Sequence, residues 1–327
     1  MMNFEYVRAS TAAGAVSMLA KQSDAVFIAG GTNLVDLMKR GVVSPMRLID
    51  INTLPLKEIT LSGNKVTIGA LALNSAVSEH PLVIKHFPLL SYALKAGASQ
   101  QLRNMATVGG NMMQRTRCSY FYDTVMPCNK REPGTGCGAM QGINRMHAIF
   151  GSSENCIAVH PSDMCVALAA LDASVIIRGA KGDRKILFTD FHRLPGNTPE
   201  KDNNLQPGEL ITHVEIPVNA FQQHAYYLKI RDRASYAFAL VSVAAALEMQ
   251  GNKISKARLA MGGVAHKPWR LTEAEAFLKG KEATETNFKA AAALAMQGAK
   301  AYEHNSFKLQ MAPNAIAEAL KKATSKA

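Results

Sequence analysis

Four of the five cysteines lie between Cys118 and Cys156, shortly after the glycine pair Gly109-Gly110. This clustering constrains the fold more than any other feature. The stretch from 112 to 160 also carries Pro127, Pro133, Gly134, Gly136, Gly138 and Gly142, so no continuous helix can run through it. A compact domain seldom holds a loop of that length unless it has a function or a staple. Four thiolates around one centre would be such a staple. The spacings are C-x9-C, C-x8-C and C-x18-C. They match neither a ferredoxin nor a C-x-x-C zinc ribbon. A sulfur-only donor set suits an iron–sulfur cluster or zinc, and spacing alone leaves both open. His147 and His160 are candidate extra ligands, but each reads first as a surface or hydrogen-bonding histidine. Cys165 lies in the apolar run MCVALAALDA and reads as a buried helix cysteine.

Two glycine motifs flank this picture. In AVFIAGGTNL, the run Ala25 to Ala29 predicts a short buried strand. Gly30-Gly31 break it, and Thr32-Asn33 can cap the apolar segment from Leu34 to Met38. Strand, glycine pair and capped helix turn leave backbone N–H groups free at one point, which favours an anion such as phosphate. The motif is neither G-x-G-x-x-G nor a P-loop, which needs a lysine, and by itself it also fits a plain strand-to-helix turn. In QLRNMATVGGN, Gly109-Gly110 follow the β-prone run Ala106-Thr107-Val108. Thr107 and Asn111 offer side-chain hydrogen bonds on either side. Two such nests could hold one extended diphosphate. Downstream, Asp163 in HPSD either caps the helix that follows or accepts hydrogen bonds from a ligand hydroxyl.

A chain of 327 residues can form two or three domains. Hydrophobic residues at 48% and charged residues at 19% are ordinary for a globular protein. No apolar run approaches the roughly 20 residues of a membrane span. The start MMNFEYVRAS has neither the apolar core nor the cleavage site of a signal peptide, which favours the cytoplasm, or export alongside a signal-bearing partner. The net charge of +12 fits solubility with a basic tail, KKATSKA, or attraction to a pyrophosphate or an acidic partner. The basic residues are scattered, with no stripe of interleaved aromatics, so nucleic acid is not expected. A chain this large needs no disulfide framework, and clustered cysteines point to metal instead.

Taken in order, a first strand is followed by a helix capped at Ser10-Thr11, then the glycine loop. Residues 47 to 71 predict three short strands, with a hairpin at Ser62-Gly63-Asn64. Residues 75 to 97 carry helical periodicity punctuated by Pro81 and Pro88. Residues 174 to 217 return to β structure, and a boundary is expected near Pro217. Beyond it the pattern is strand, charged loop, a strand of small residues and another strand. Helices are expected from 271 to 279, 285 to 303 and 315 to 322. Lys229 and Arg231 could point toward a bound ligand or belong to a solvated charged loop.

With these residues in hand, the chain resembles the FAD-binding subunits of the molybdenum hydroxylases, the xanthine dehydrogenase and aldehyde oxidoreductase family. AGGTNL looks like the family's pyrophosphate loop and QLRNMATVGGN like its second flavin loop. P-S-D before a helix and the L-K-I-R strand match as well. RTRCSYFYDTVMPCNKREPGTGC, ending in CIAVHPSD, is similar to flavin subunits that carry a [4Fe-4S] cluster in this loop. The resemblance implies an α+β fold: an FAD-binding domain of the vanillyl-alcohol-oxidase/PCMH type with two subdomains over 1–220, then a small α+β domain over 221–327. It implies an FAD held by Val26, Phe27, Ile28, Ala29, Gly30, Gly31, Thr32 and Asn33, by Thr107, Gly110 and Asn111, and by Asp163, Ile211 and Lys229. Lys229 would stand near the flavin ring and favour its reduced, anionic form. Cys118, Cys128, Cys137 and Cys156 would hold the cluster, with Cys165 outside the set. The implied partners are a large subunit with the molybdenum cofactor and a small subunit with two [2Fe-2S] clusters, in a heterotrimer that passes electrons to an external acceptor. A periplasmic site would follow from co-export. No residue of this chain need act as an acid–base catalyst. Two other readings remain: a stand-alone flavin oxidoreductase of the same fold, and a basic binding protein with a structural zinc loop.

Overall fold

The computed structural model describes every residue except Ser23, Asn219, Lys326 and Ala327. The last two end the basic tail, so that part of the tail lies outside the described residues, as does Asn219 beside the expected boundary. Strand β1 (Glu5–Arg8) leads into α1 (Ala12–Ala20), where Thr11 accepts the Gly14 N–H as N-cap. Strands β2 (Ala25–Ile28) and β3 (Arg47–Asp50) complete a parallel sheet in the order β1-β3-β2, with α2 (Leu34–Lys39) between them. A parallel pair needs such a crossover, and the crossover starts at the first glycine motif.

Strands β4 (Ile59–Ser62) and β5 (Lys65–Gly69) form the expected hairpin, with Gly63 at φ +56° in its two-residue turn. The periodic stretch becomes α3 (Asn74–Glu79), α4 (Pro81–His86) and α5 (Pro88–Ala96). Proline sits at the first position of the latter two, where its missing N–H costs nothing. Next come α6 (Gln100–Arg103), α7 (Val108–Met112) and α8 (Ser119–Tyr122), followed by the irregular cysteine loop and α9 (Asp163–Ala170). Strands β6 (Ser174–Gly179) and β7 (Gly182–Leu187), the short α10 (Phe188–Phe191) and β8 (Leu210–Pro217) finish an antiparallel five-stranded sheet ordered β4-β5-β8-β6-β7.

Strands β9 (His224–Ile230), β10 (Val241–Gln250), β11 (Lys253–Gly262) and β12 (Trp269–Arg270) form a third, antiparallel sheet. Helices α11 (Thr272–Leu278), α12 (Glu285–Ala295) and α13 (Lys308–Thr324) follow it. The expected helix to residue 303 stops at Ala295, short of Gly298, which has φ +78°. The last helix is longer than its apolar stripe suggested and runs through Pro313.

Period-2 alternation explains how this sheet serves two cores. Val241, Val243, Ala245 and Leu247 of β10 pack with Ile316, Ala319 and Leu320 of α13. Ala244 and Ala246 lie on the other face, in the core that also holds α5 and α9. Alanine there lets the two helices come close. On β9, Tyr227 shares that second face, and Lys229 follows it by alternation. The charged end of β9 is thereby aimed at the N-terminus of α9.

Candidate functional site

One cleft of about 630 Å³ collects most of the polar motifs. Thr32 and Asn33 of the first glycine loop line it, with Gly110 and Asn111 of the second, Asp163, and Lys229. The first loop reads as a nest. Among the described residues, the backbone N–H groups of Gly30, Gly31, Thr32 and Asn33 donate to no other group. Asn33 does not cap α2 with its side chain; its Oδ1 accepts the Arg115 N–H at 2.9 Å and ties this loop to the cysteine segment. Gly31 has φ +70°, a conformation glycine adopts without strain. Gly30 is needed for a different reason: a Cβ there would sit 1.8 Å from the Met105 carbonyl oxygen. The two glycine motifs are packed backbone to backbone.

The second motif differs from its expectation. Ala106–Val108 is no strand; Thr107 is the N-cap of α7 and accepts from Gly110 N at 3.2 Å. The N–H groups of Val108 and Gly109 bond to Ala72 O and Ala70 O, and that of Asn111 to Thr107 O. Its backbone donors are thus taken, and Asn111 offers the cleft a side chain instead. Asn111 Oδ1 accepts from Ser162 Oγ at 2.5 Å and from Gln114 Nε2 at 2.9 Å. Among the described residues, its Nδ2 donates to no partner. Thr107 is buried behind the lining, and Ile211 sits in β8 within the core, not on the cleft wall. Val26, Phe27 and Ile28 form β2, whose end delivers Ala29 and the loop.

Asp163 is not the cap of α9. Ser162 is, accepting the Cys165 N–H at 3.1 Å. The Asp163 carboxylate instead accepts from Tyr227 OH and from Lys229 Nζ, each at 2.7 Å. Lys229 also donates to Ala96 O at 3.1 Å. A carboxylate has about four acceptor sites, so Asp163 keeps capacity for a ligand hydroxyl. Burial beside this charge pushes the Tyr227 hydroxyl well above its usual range, so it stays a donor. Asp163, Tyr227 and Lys229 form one preorganised unit at the cleft floor.

The four cysteines of the loop line a second, small cavity, and Cys118 lines both cavities. Cys128 and Cys137 face each other across a tight hairpin in which Asn129 N donates to Gly136 O and Gly138 N to Pro127 O. Gly138 and Gly142 lie against Tyr120, whose hydroxyl accepts the Ile143 N–H. All four thiols are free. Burial pushes the Cys118 thiol up to about 12 and Cys156 up to about 11. Burial raises Cys165 in the same way, so the shift marks no ligand by itself. Four free thiols on one small cavity are what fit a metal–sulfur centre.

The loop also has protein anchors that sequence reading did not find. Lys130, with its side chain 1% exposed, pairs with Asp202 and donates to Pro199 O at 2.8 Å. Arg115 reaches the same carboxylate at 2.7 Å. Arg131 donates to the carbonyls of Tyr120, Phe121 and Asp123. These partners lie far apart in sequence, and nothing local marks Asp202 as theirs.

His160, Cys165 and His192 are the one set of three donors within 4.8 Å of one another among the described residues. Their protons argue against a metal. His160 Nδ1 accepts the Ser162 N–H, so its Nε2 carries the hydrogen. His192 Nε2 donates to Met112 O at 2.9 Å, leaving only Nδ1 with a lone pair. Cys165 is fully buried in α9, as expected. Cys165→Ala is expected to leave metal content unchanged and to cost about 1 kcal/mol for the lost packing, measured by metal analysis and urea unfolding.

Burial holds His192 down to about 4 and His160 well below its usual range. The unfolded chain takes up the His192 proton near pH 6.5, while the folded chain excludes it until about pH 4. Stability is therefore lost as pH falls below 6.5, by about 2 kcal/mol from His192 at pH 5, with His160 acting in the same direction. His192→Leu is expected to be less stable at pH 7 but to lose about 2 kcal/mol less between pH 7 and 5 in urea titrations.

The family of FAD binding domains in molybdopterin dehydrogenase matches residues 2–219. The CO dehydrogenase flavoprotein C-terminal domain matches residues 226–323. The chain is 47% identical to the aldehyde oxidoreductase FAD-binding subunit PaoB of Escherichia coli (strain K12), over 100% of both chains. It is 31% identical to the glyceraldehyde dehydrogenase medium chain of Sulfolobus acidocaldarius, over 85% of this chain and 82% of that one. Among solved structures, a carbon monoxide dehydrogenase chain from Hydrogenophaga pseudoflava superposes with a TM-score of 0.79 at 26% identity, covering 99% of this chain and 98% of that chain. Fold, paired domain matches and full-length relatives agree: this chain belongs to the FAD-binding subunits of the molybdenum hydroxylase family and is one subunit of an oxidoreductase complex.

Proposed function

We propose that this chain is the electron-transfer subunit of a molybdenum-dependent aldehyde oxidoreductase, holding FAD in the large cleft and a [4Fe-4S] cluster in the cysteine loop. The observation that carries it is the pair of cavities sharing Cys118: one lined by the glycine loops, Asp163 and Lys229, the other by four free thiols. Two relatives named for aldehyde chemistry support the substrate class. Residues 1–220 form the flavin domain in this reading and 221–327 its C-terminal companion. Electrons enter from partner subunits that hold the molybdenum cofactor and two [2Fe-2S] clusters, and they leave to an external acceptor. The complex is periplasmic if a partner carries an export signal, and cytoplasmic otherwise.

When bound, FAD supplies the redox chemistry, and the protein supplies position and charge. Val26, Phe27, Ile28 and Ala29 deliver the first loop, and Gly30, Gly31, Thr32 and Asn33 cradle the diphosphate through their free N–H groups. Thr107 shapes the second loop so that Gly110 and Asn111 close the other side. Asp163 accepts from ligand hydroxyls while Tyr227 and Lys229 hold it in place. Lys229, whose charge is balanced by Asp163, would offer an N–H donor to the bound flavin and stabilise its reduced, anionic form. Ile211 supports the cleft from the core rather than by contact.

Iron rather than zinc is favoured by thiol spacing. Around one zinc ion, bonds of about 2.3 Å set tetrahedral sulfurs about 3.8 Å apart. Among the described residues, no three of these four thiols come within 4.8 Å of one another. The wider spread suits a multi-iron core. The complex purified without oxygen is expected to contain one FAD and about eight irons per copy of this chain, about four from its own cluster and about four from the partner's two [2Fe-2S] clusters, with flavin bands over a broad iron–sulfur shoulder. Zinc in place of iron would overturn the cluster. Absence of flavin would overturn the electron-transfer role.

A further inference from the structure

We infer that His147 and His266 are positioning residues that set the redox potential of the cluster through N–H···S hydrogen bonds to Cys118 and Cys156. The inference rests on the cluster reading above. His147 Nε2 lies 3.1 Å from Cys118 Sγ, and His266 Nε2 lies 3.8 Å from Cys156 Sγ. The two rings come from different parts of the chain, His147 from the cysteine loop and His266 from the turn after β11. Both are held firmly. Lys308 Nζ and Asn305 Nδ2 donate to the His147 carbonyl at 2.8 and 3.2 Å. His266 is 8% exposed and follows Ala265, whose carbonyl accepts the His160 N–H.

In both rings Nδ1 is buried without a partner among the described residues. Among the described residues, the sulfur contact is therefore the only hydrogen bond of either ring. A metal-bound thiolate has no proton and can only accept. Each Nε2 must then carry the ring hydrogen, which leaves Nδ1 as an unpaired acceptor, the less costly of the two groups to leave buried. Two donors thus converge on two of the four sulfurs. Reduction of the cluster adds one electron and breaks no bond, the electron coming from the reduced flavin. The added negative charge spreads onto the sulfurs, where an N–H donor stabilises it. The histidines raise the potential, so the cluster accepts electrons more readily. His147 and Cys118 both line the large cleft, so its effect acts at the sulfur of the one loop cysteine that lines both cavities.

The test uses the complete complex and needs no activity measurement. Pulsed EPR of the dithionite-reduced wild type with ¹⁵N-histidine is expected to show two weakly coupled nitrogens. A spectrum with the [4Fe-4S] signal present but no histidine coupling to it overturns the inference alone. A wild type with only the roughly four irons of the partner's two [2Fe-2S] clusters and no [4Fe-4S] signal overturns it together with the cluster reading. EPR-monitored redox titration is expected to show lower midpoint potentials in His147→Leu and His266→Leu. Each should lose about tenfold in the equilibrium constant for reduction, about 59 mV for a one-electron couple. His147→Gln and His266→Gln keep a donor and are expected to return toward the wild-type value. Unchanged potentials in the leucine variants, or glutamine variants shifted as far as leucine, overturn the inference.

Discussion

Gly30→Ala is expected to empty the flavin cleft while leaving most secondary structure in place. A Cβ at residue 30 would lie 1.8 Å from Met105 O and 2.7 Å from Met105 C, and real Cβ contacts essentially never fall below 3.0 Å. Both obstructing atoms are backbone, so no side chain can swing aside. The loops must separate by more than an ångström, because 3.0 minus 1.8 is 1.2 Å. Overpacking of this kind costs about 1–3 kcal/mol. The larger consequence concerns the ligand. The free N–H groups from Gly30 to Asn33 would move away from Gly110 and Asn111, and hydrogen bonds weaken steeply with misalignment. Losing two such bonds to a diphosphate is worth about 3 kcal/mol, more than a hundredfold in affinity. FAD absorbance per chain after gel filtration should fall below about a tenth of wild type. Gly41→Ala is the control: its φ of +72° brings a strain of about 1–2 kcal/mol, but nothing lies within 4 Å of the added methyl. It should keep its flavin. Full flavin content in Gly30→Ala would show that the cradle does not depend on this close approach.

The glycine example shows where sequence reading succeeds and where it stops. Local signals carried the elements. Thr11 as a cap, Gly63-Asn64 as a turn, and Pro81 and Pro88 as breaks in the helical stretch act within a few residues, and each is found in the structure, the prolines as the first residues of α4 and α5. The first glycine motif was legible as a nest for the same reason. The second motif was misread because its β-prone residues are overridden by Thr107 capping α7 and by the carbonyls of Ala70 and Ala72, which lie 39 and 36 residues before the N–H groups they accept. Asp163 was visible as a polar residue at a helix start, but not as the partner of Tyr227 and Lys229, which stand 64 and 66 residues away. Sheet alternation could have found them: residues 227 and 229 share a face, and one face of β9 had to meet the helices. Asp202, Lys130 and His266 had no local signal. Their roles exist only once the cysteine loop folds back on residues 199–202 and on the turn after β11.

That folding-back decides what Cys128→Ser should do. Cys128 is 7% exposed, packs with Leu37, Val42 and Phe121, and faces Cys137 across the hairpin. Serine is close to isosteric, so packing changes little, but its hydroxyl is a poor ligand for iron at neutral pH. Even changes beyond the ligands themselves cost 10–100-fold in metal affinity, so the iron held by this chain is expected to fall below about a tenth, which leaves the complex with little more than the partner's roughly four irons. Metal binding free energy is also folding free energy, and the loop loses that share of its stability. Two outcomes then compete: collapse of the loop, or its survival on the protein anchors alone. The buried Lys130–Asp202 pair, Arg115 and the Arg131 carbonyl contacts hold the loop without metal. The loop should therefore loosen rather than unfold, with a lower thermal midpoint and faster proteolysis confined to residues 112–160. Flavin should be largely kept, because of the residues assigned to it only the neighbouring Cys118 side of the cleft is disturbed. Iron retained at the wild-type level would remove Cys128 from the ligand set. Loss of flavin in step with iron would show that the two cavities are a single cooperative unit.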